Sequence, residues 1–142
     1  MSEAPYTVAP LSARHLEELT LAVERAAAQW VKGVEAPLDV VQGLERVLLF
    51  LKQNGGASPQ ARHIASLAFV FGEQVVRAAG WTWQSVSEDG SVNPAIVSPD
   101  ARRALLVVDV VTRLVVGADK ASLTALYKSL VAGEPCALVA EL

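Results

Sequence analysis

The side chains able to do chemistry are few and scattered. Nucleophilic catalysis needs a Ser or Cys beside a positioned imidazole, and this chain has two histidines and one cysteine. His15 and His63 each follow an arginine, Arg14 and Arg62, at what reads as the first turn of a helix. A cationic neighbour does not help an imidazole act as a base, so both read as solvated helix-start residues. Cys136, in Glu-Pro-Cys-Ala-Leu-Val, has no local base and reads as a buried or incidental thiol. No His-x-x-x-His, Cys-x-x-Cys or calcium-loop spacing occurs, and neither does a Gly-rich phosphate loop or dinucleotide fingerprint. The expectation is no catalytic residue, no metal and no cofactor.

What remains is a set of groups suited to binding. Glu73 and Arg77 stand four apart in the favourable order for a helical ion pair. They are either surface support or charges facing a cleft. Trp81 and Trp83 alternate with Thr82 and Gln84, so both fall on one face of a strand, as core or as an exposed aromatic patch. Glu88-Asp89-Gly90 reads as an acidic hairpin tip. The candidate partner-binding residues are therefore Glu73, Trp81, Trp83, Glu88 and Asp89.

The elements that must hold these groups follow from pattern. Residues 1–10, with Pro5 and Pro10, read as an extended lead-in. Ser12 is an N-cap with Leu11 and Leu16 as a hydrophobic staple, and Leu16, Leu19, Val23, Ala26 and Trp30 form a helical stripe ending near Gly33. Pro37 opens a second helix, whose buried face is Leu38, Val41, Leu44, Leu48 and Leu51, and Asn54-Gly55-Gly56 stops it. Ser58-Pro59 opens a third helix that runs to Ala79. Its apolar residues wrap most of its circumference, as in a central helix, and Gly72 within it costs about 1 kcal/mol relative to Ala, tolerable if another backbone approaches closely there.

Gly80 ends that helix and the period changes to two. Trp81 to the Glu88-Asp89-Gly90 turn, a partner strand at 95–97 and a third strand at 104–108 predict a small antiparallel meander over 81–117. Residues 109–117 fit a helical stripe yet are β-branched, which leaves helix and strand both open. Asp119 caps a closing helix over 118–133. The fold class is α+β in one domain: three N-terminal helices, the meander, a C-terminal helix.

Composition narrows the partners. Fifteen acidic and twelve basic residues over 142 positions leave a net charge of −3 with the signs interleaved, unlike a nucleic-acid binder with its clustered cations. One cysteine precludes an internal disulfide and fits a reducing cytoplasm. The N-terminus lacks the basic-then-apolar pattern of a secretory signal, and no apolar run approaches the ~20 residues of a membrane span, so a soluble cytoplasmic protein is expected.

The helix-to-strand junction resembles an uncharacterised bacterial domain family of unknown function. The matching residues are Phe71, Gly72, Gly80, Trp83, Asp89-Gly90, Ala95 and Arg113, within residues 60–130. The resemblance implies a small stand-alone cytoplasmic protein similar in size and acidity to immunity proteins that neutralise toxins, and it supplies no catalytic residues. The sequence thus favours a non-enzymatic interaction protein with a basic toxin or effector as partner. Its rivals are a small-molecule or enzymatic domain with a cleft between the third helix and the meander (Glu73, Arg77, Trp83, His63) and a homodimer built on the 52% apolar content.

Overall fold

The computed structural model describes residues 6–29, 36–53, 60–88, 90–117 and 121–142. Among them are five helices and five strands, in the order β1 (Thr7–Pro10), α1 (Ala13–Gln29), α2 (Pro37–Gln53), α3 (Gln60–Ala79), β2 (Thr82–Glu88), β3 (Ser91–Val97), β4 (Arg103–Leu105), α4 (Val107–Val116), α5 (Leu123–Ala132) and β5 (Ala140–Glu141). The class is α+β, as the sequence implies, but helices and strands interleave. The lead-in contains β1, and β5 follows the helix expected to close the chain.

α3 is the axis. Leu67 to Phe71 are all at or below 2% exposure, on every side of the helix, so α3 packs in the middle of the domain. α1 and α2 lie against it, and α4 and α5 join the same core. On α2, Val40, Val41, Leu44, Leu48 and Leu51 are buried, with Leu38 half-buried beside them. On α1 the expected Leu19 is buried and Val23 packs against the core, with Ala22 beside them, whereas Leu16 is 53% exposed and does not form the staple expected with Leu11. Ser12 does cap α1, its Oγ accepting from the His15 amide at 3.2 Å, while its own N–H donates to Ser85 Oγ at 3.3 Å and ties the helix start to β2. The ends expected at Gly33 and at Asn54-Gly55-Gly56, the Ser58-Pro59 opening and Trp30 lie outside the described residues.

Residues 107–116 are helical, which corrects two expectations. The strand begun at Ala104 ends at Leu105, and the meander spans 82–105 rather than 81–117. Val107, Val110, Val111, Leu114 and Val115 are buried at helical spacing. Local β propensity, a preference of under ~1 kcal/mol per residue, yields here to a stripe that packs on α3. α5 is capped by Ser122, whose Oγ accepts from Ala125 N at 3.0 Å, while Asp119 lies outside the described residues. Glu45 of α2 adds a second acceptor at this end, taking the Thr124 amide at 3.1 Å and setting a carboxylate at the positive helix terminus.

The sheet runs β1-β2-β3-β4-β5, antiparallel throughout. Alternation gives it two faces. Trp83, Ile96 and Leu105, neighbours in register, belong to the helical core. Val86, Ala95, Val97 and Ala104 form a second, smaller cluster on the other face, with Tyr6, Leu106 and Leu142 packed against it. Tyr6 precedes the first strand and Leu142 follows the last. Both pack against this cluster, and Tyr6 and Glu88 at one edge line a single cavity with Ala137 to Ala140 at the other, so the sheet curls enough for its two edges to face one space.

The junction between α3 and β2 has an unusual fit. Gly80, at φ +75°, ends α3, and its amide donates to Val76 O at 3.1 Å. What approaches Gly72 is the indole of Trp83 rather than a backbone. A Cβ built at Gly72 would stand 2.5 Å from Trp83 Cη2, 2.8 Å from Cζ2 and 3.2 Å from Val107 Cγ1. The ring also leans on Phe69, with centroids 5.8 Å apart and a 44° tilt.

The β3–β4 turn is held by Ser98 and Asp100. Ser98 Oγ donates to Asp100 Oδ1 at 2.6 Å and accepts from Arg103 N at 3.0 Å, and the Arg102 amide donates to the same carboxylate oxygen at 3.1 Å. This places Ala101 at φ +61°, a left-handed conformation costing an L-residue about 1–2 kcal/mol. The Ser98 hydroxyl first, then the Arg102 amide, hold the Asp100 carboxyl below its ordinary 3.8.

Two outcomes are expected. Gly72→Ala should destabilise, since overpacking costs about 1–3 kcal/mol against a helix-propensity gain of about 1. In a Trp83→Phe background, whose ring lacks the colliding atoms, the same change should turn stabilising. A urea double-mutant cycle reads the coupling, and additive effects would refute the fit. For Asp100, a depressed folded pKa means stability that is present above 3.8 and lost as pH falls through the folded value. The stability gap between wild type and Asp100→Asn should therefore hold through neutral pH and narrow in acid below 3.8. A gap that stays constant in urea titrations on both sides of that value would contradict it.

Candidate functional site

Of the five candidates, Glu73 and Trp83 meet at the α3–β2 junction, and Trp81 lies beside it. Trp81 is 3% exposed and lies in the core, so it offers a partner no surface. Its ring has the Arg103 guanidinium 5.7 Å from its centroid, and Arg103 also donates to Glu134 O at 3.2 Å. Trp83 is half-buried, and its Nε1–H donates to Glu73 Oε1 at 3.1 Å. Arg77 Nε donates to Glu73 Oε2 at 3.3 Å. Glu73 thus joins an indole to a guanidinium. The hydrogen bond from Trp83 to a charged acceptor contributes about 1.5–3 kcal/mol. The Arg77 pair, half exposed, adds under ~1 kcal/mol. This network fastens β2 to α3; the aromatic face lies inward.

The junction also bears on the cleft expected between α3 and the meander. The Trp83 ring fills the space beside Gly72. His63 lies ten residues from Glu73 on the same helix, about 15 Å along its axis, and joins no group at the junction. Gln74, which sequence reasoning did not single out, is 3% exposed; its Nε2 donates to Val70 O at 3.1 Å, and its Oε1 has no partner among the described residues. Only burial makes Gln74 notable, and a glutamine on a helix gives no sequence signal of that.

Glu88 is elsewhere, at the far end of β2, and Asp89 lies outside the described residues. Glu88 lines a cavity of about 300 Å³ with Tyr6, Leu106, Asp109, Val110 and Arg113, closed on the other side by Ala137 to Ala140. Continuing the β1–β2 register by one residue sets Tyr6 beside Glu88. The cavity is therefore bounded by both edges of the curled sheet and by the first turns of α4. Asp109 and Arg113, four apart on α4, pair at 3.4 Å, each about half exposed. The Glu88 carboxylate has no ion pair or hydrogen bond among the described residues. Two carboxylates face one guanidinium, so the site carries a net negative charge.

Two further cavities differ in character. One, of about 310 Å³, lies between α1 and α3, with Leu21, Ala22, Ala65 and Phe69 as walls and Glu18, Arg25 and Ser66 at its rim. The other, of about 240 Å³, sets the half-buried Cys136 near Arg103 and Glu141. Among the described residues no group of three or more His, Cys, Asp or Glu could hold a metal ion, and no helix is long and apolar enough to cross a membrane.

Comparison with family models, with curated proteins and with solved structures finds no match to this chain.

Proposed function

We propose that this is a non-enzymatic interaction protein that binds a basic protein partner at the Glu88 end of its sheet, in the manner of a bacterial immunity protein occupying a toxin or effector. The observation that carries this reading is the Glu88 carboxylate. It forms no ion pair among the described residues and lines a cavity whose one guanidinium, Arg113, is paired with a second carboxylate. A net charge of −3 adds long-range attraction for a basic surface, which speeds encounter and weakens with salt. Trp81, Trp83 and Glu73 support this role indirectly, by fixing the strand that presents Glu88. The rival small-molecule cleft between α3 and the strands has less support, because Trp83 occupies that space.

The test is affinity capture from the lysate of the source cells on immobilised protein at low ionic strength. A specific basic protein should be retained, released as the Debye length shrinks to about 3 Å near 1 M salt, and inhibited in its own activity by the complex. Glu88→Lys, with an unchanged melting temperature, should lose it. Retention of no basic protein, or equal retention by Glu88→Lys, would end this reading.

A further inference from the structure

The cavity behind Glu88 has a chemistry more specific than negative charge. Tyr6 stands beside Glu88 across neighbouring strands, with its ring packed against the concave cluster. Leu106 and Val110 provide apolar wall. Asp109 is engaged by Arg113 at 3.4 Å, so the carboxylate left to a ligand is that of Glu88. A volume of about 300 Å³ sits at the lower limit of ligand pockets, which run from about 300 to 1,000 Å³. It suits one long side chain better than a metabolite of several rings.

An aromatic face, an unpaired carboxylate and an apolar wall are together the surroundings that a guanidinium uses. It stacks on the ring, donates two parallel N–H bonds to a carboxylate and lays its methylenes along apolar surface. A lysine ammonium is a compact, strongly hydrated charge and loses more on entering a half-enclosed space. We infer that the mouth of the curled sheet is a socket for a single arginine side chain, presented by the partner. This rests on the protein-binding reading above and names the group that the partner inserts. Arg113 then serves as an internal competitor: by holding Asp109 it keeps the site at one uncompensated charge, matched to one incoming cation.

The experiment needs no partner. Amide chemical shifts of the 15N-labelled protein are followed during titration with the N-acetyl amides of arginine, lysine and norleucine. Saturable shifts at Leu106, Val110 and Arg113 are expected with arginine, roughly tenfold weaker binding with lysine, and none with norleucine. Glu88→Gln should weaken the arginine ligand by about tenfold while the spectrum stays that of a folded protein. Arg113→Gln, which frees Asp109, should strengthen it several-fold. The socket is overturned if arginine gives no saturable shift, if lysine or norleucine matches it, if Glu88→Gln leaves affinity unchanged, or if Arg113→Gln weakens it. Salt-sensitive capture of a basic partner alongside a failed titration would remove the socket and leave the interaction reading standing. A successful titration with no captured partner would do the reverse.

Discussion

The ring of Trp83 lies where a side chain at position 72 would otherwise be, and much of the architecture depends on that exchange of volume. A glycine inside a helix costs about 1 kcal/mol relative to alanine. Here the missing Cβ lets the indole come within contact of the α3 backbone, rest against Phe69 and reach Glu73 with its N–H. One side chain thereby satisfies a packing need and a polar need together. Val107 stands against the same space, so the first residue of α4 is positioned by the contact that seats β2 on α3.

That seat decides the behaviour of the sheet. With Trp83, Ile96 and Leu105 turned toward the helices, alternation assigns Val86, Ala95, Val97 and Ala104 to the other face. Two of those four are alanines, and Ala140 extends the small-residue row across β5. A row of small side chains lets a twisted sheet curl tightly. Curling covers the cluster with Tyr6 from one edge and Leu142 from the other, and the four residues are buried to 1% exposure or less. The strands at the two edges are short, of four and two residues, which limits the unpaired backbone they offer to another chain.

The sequence disclosed what is local and repeated. α3 is a central helix because its apolar residues wrap the circumference, and the Gly80 stop with its change of period marks β2 without any tertiary knowledge. Residues 109–117 are ambiguous in sequence because β-branched residues and a helical stripe argue opposite ways, and only the surface of α3 arbitrates. β1 and β5 were missed for a different reason. Strands of four and two residues carry no usable periodicity; pairing with β2 and β4 defines them. The site was half legible: Glu88 stands out as acid at a hairpin end, whereas Tyr6, 82 residues earlier, and Asp109 on the next helix join it only through closure of the sheet. The tryptophans misled, since alternation shows that two aromatics share a face and is silent on which way that face points.

β2 therefore has two ends with opposite duties. At its start, Trp81 just before the strand is buried in the helical core and the half-buried Trp83 packs against it. Five residues beyond Trp83, about 17 Å along an extended strand, Glu88 stands over the cavity. Between them Ser85 is buried and takes the Ser12 amide, and Val86 is fully enclosed. A strand gripped over this length cannot shift its far end without disturbing the core. The backbone of Glu88 is thereby held in place, and in the proposed complex a strand end fixed in advance spares the ordering entropy that a mobile tip would lose on binding.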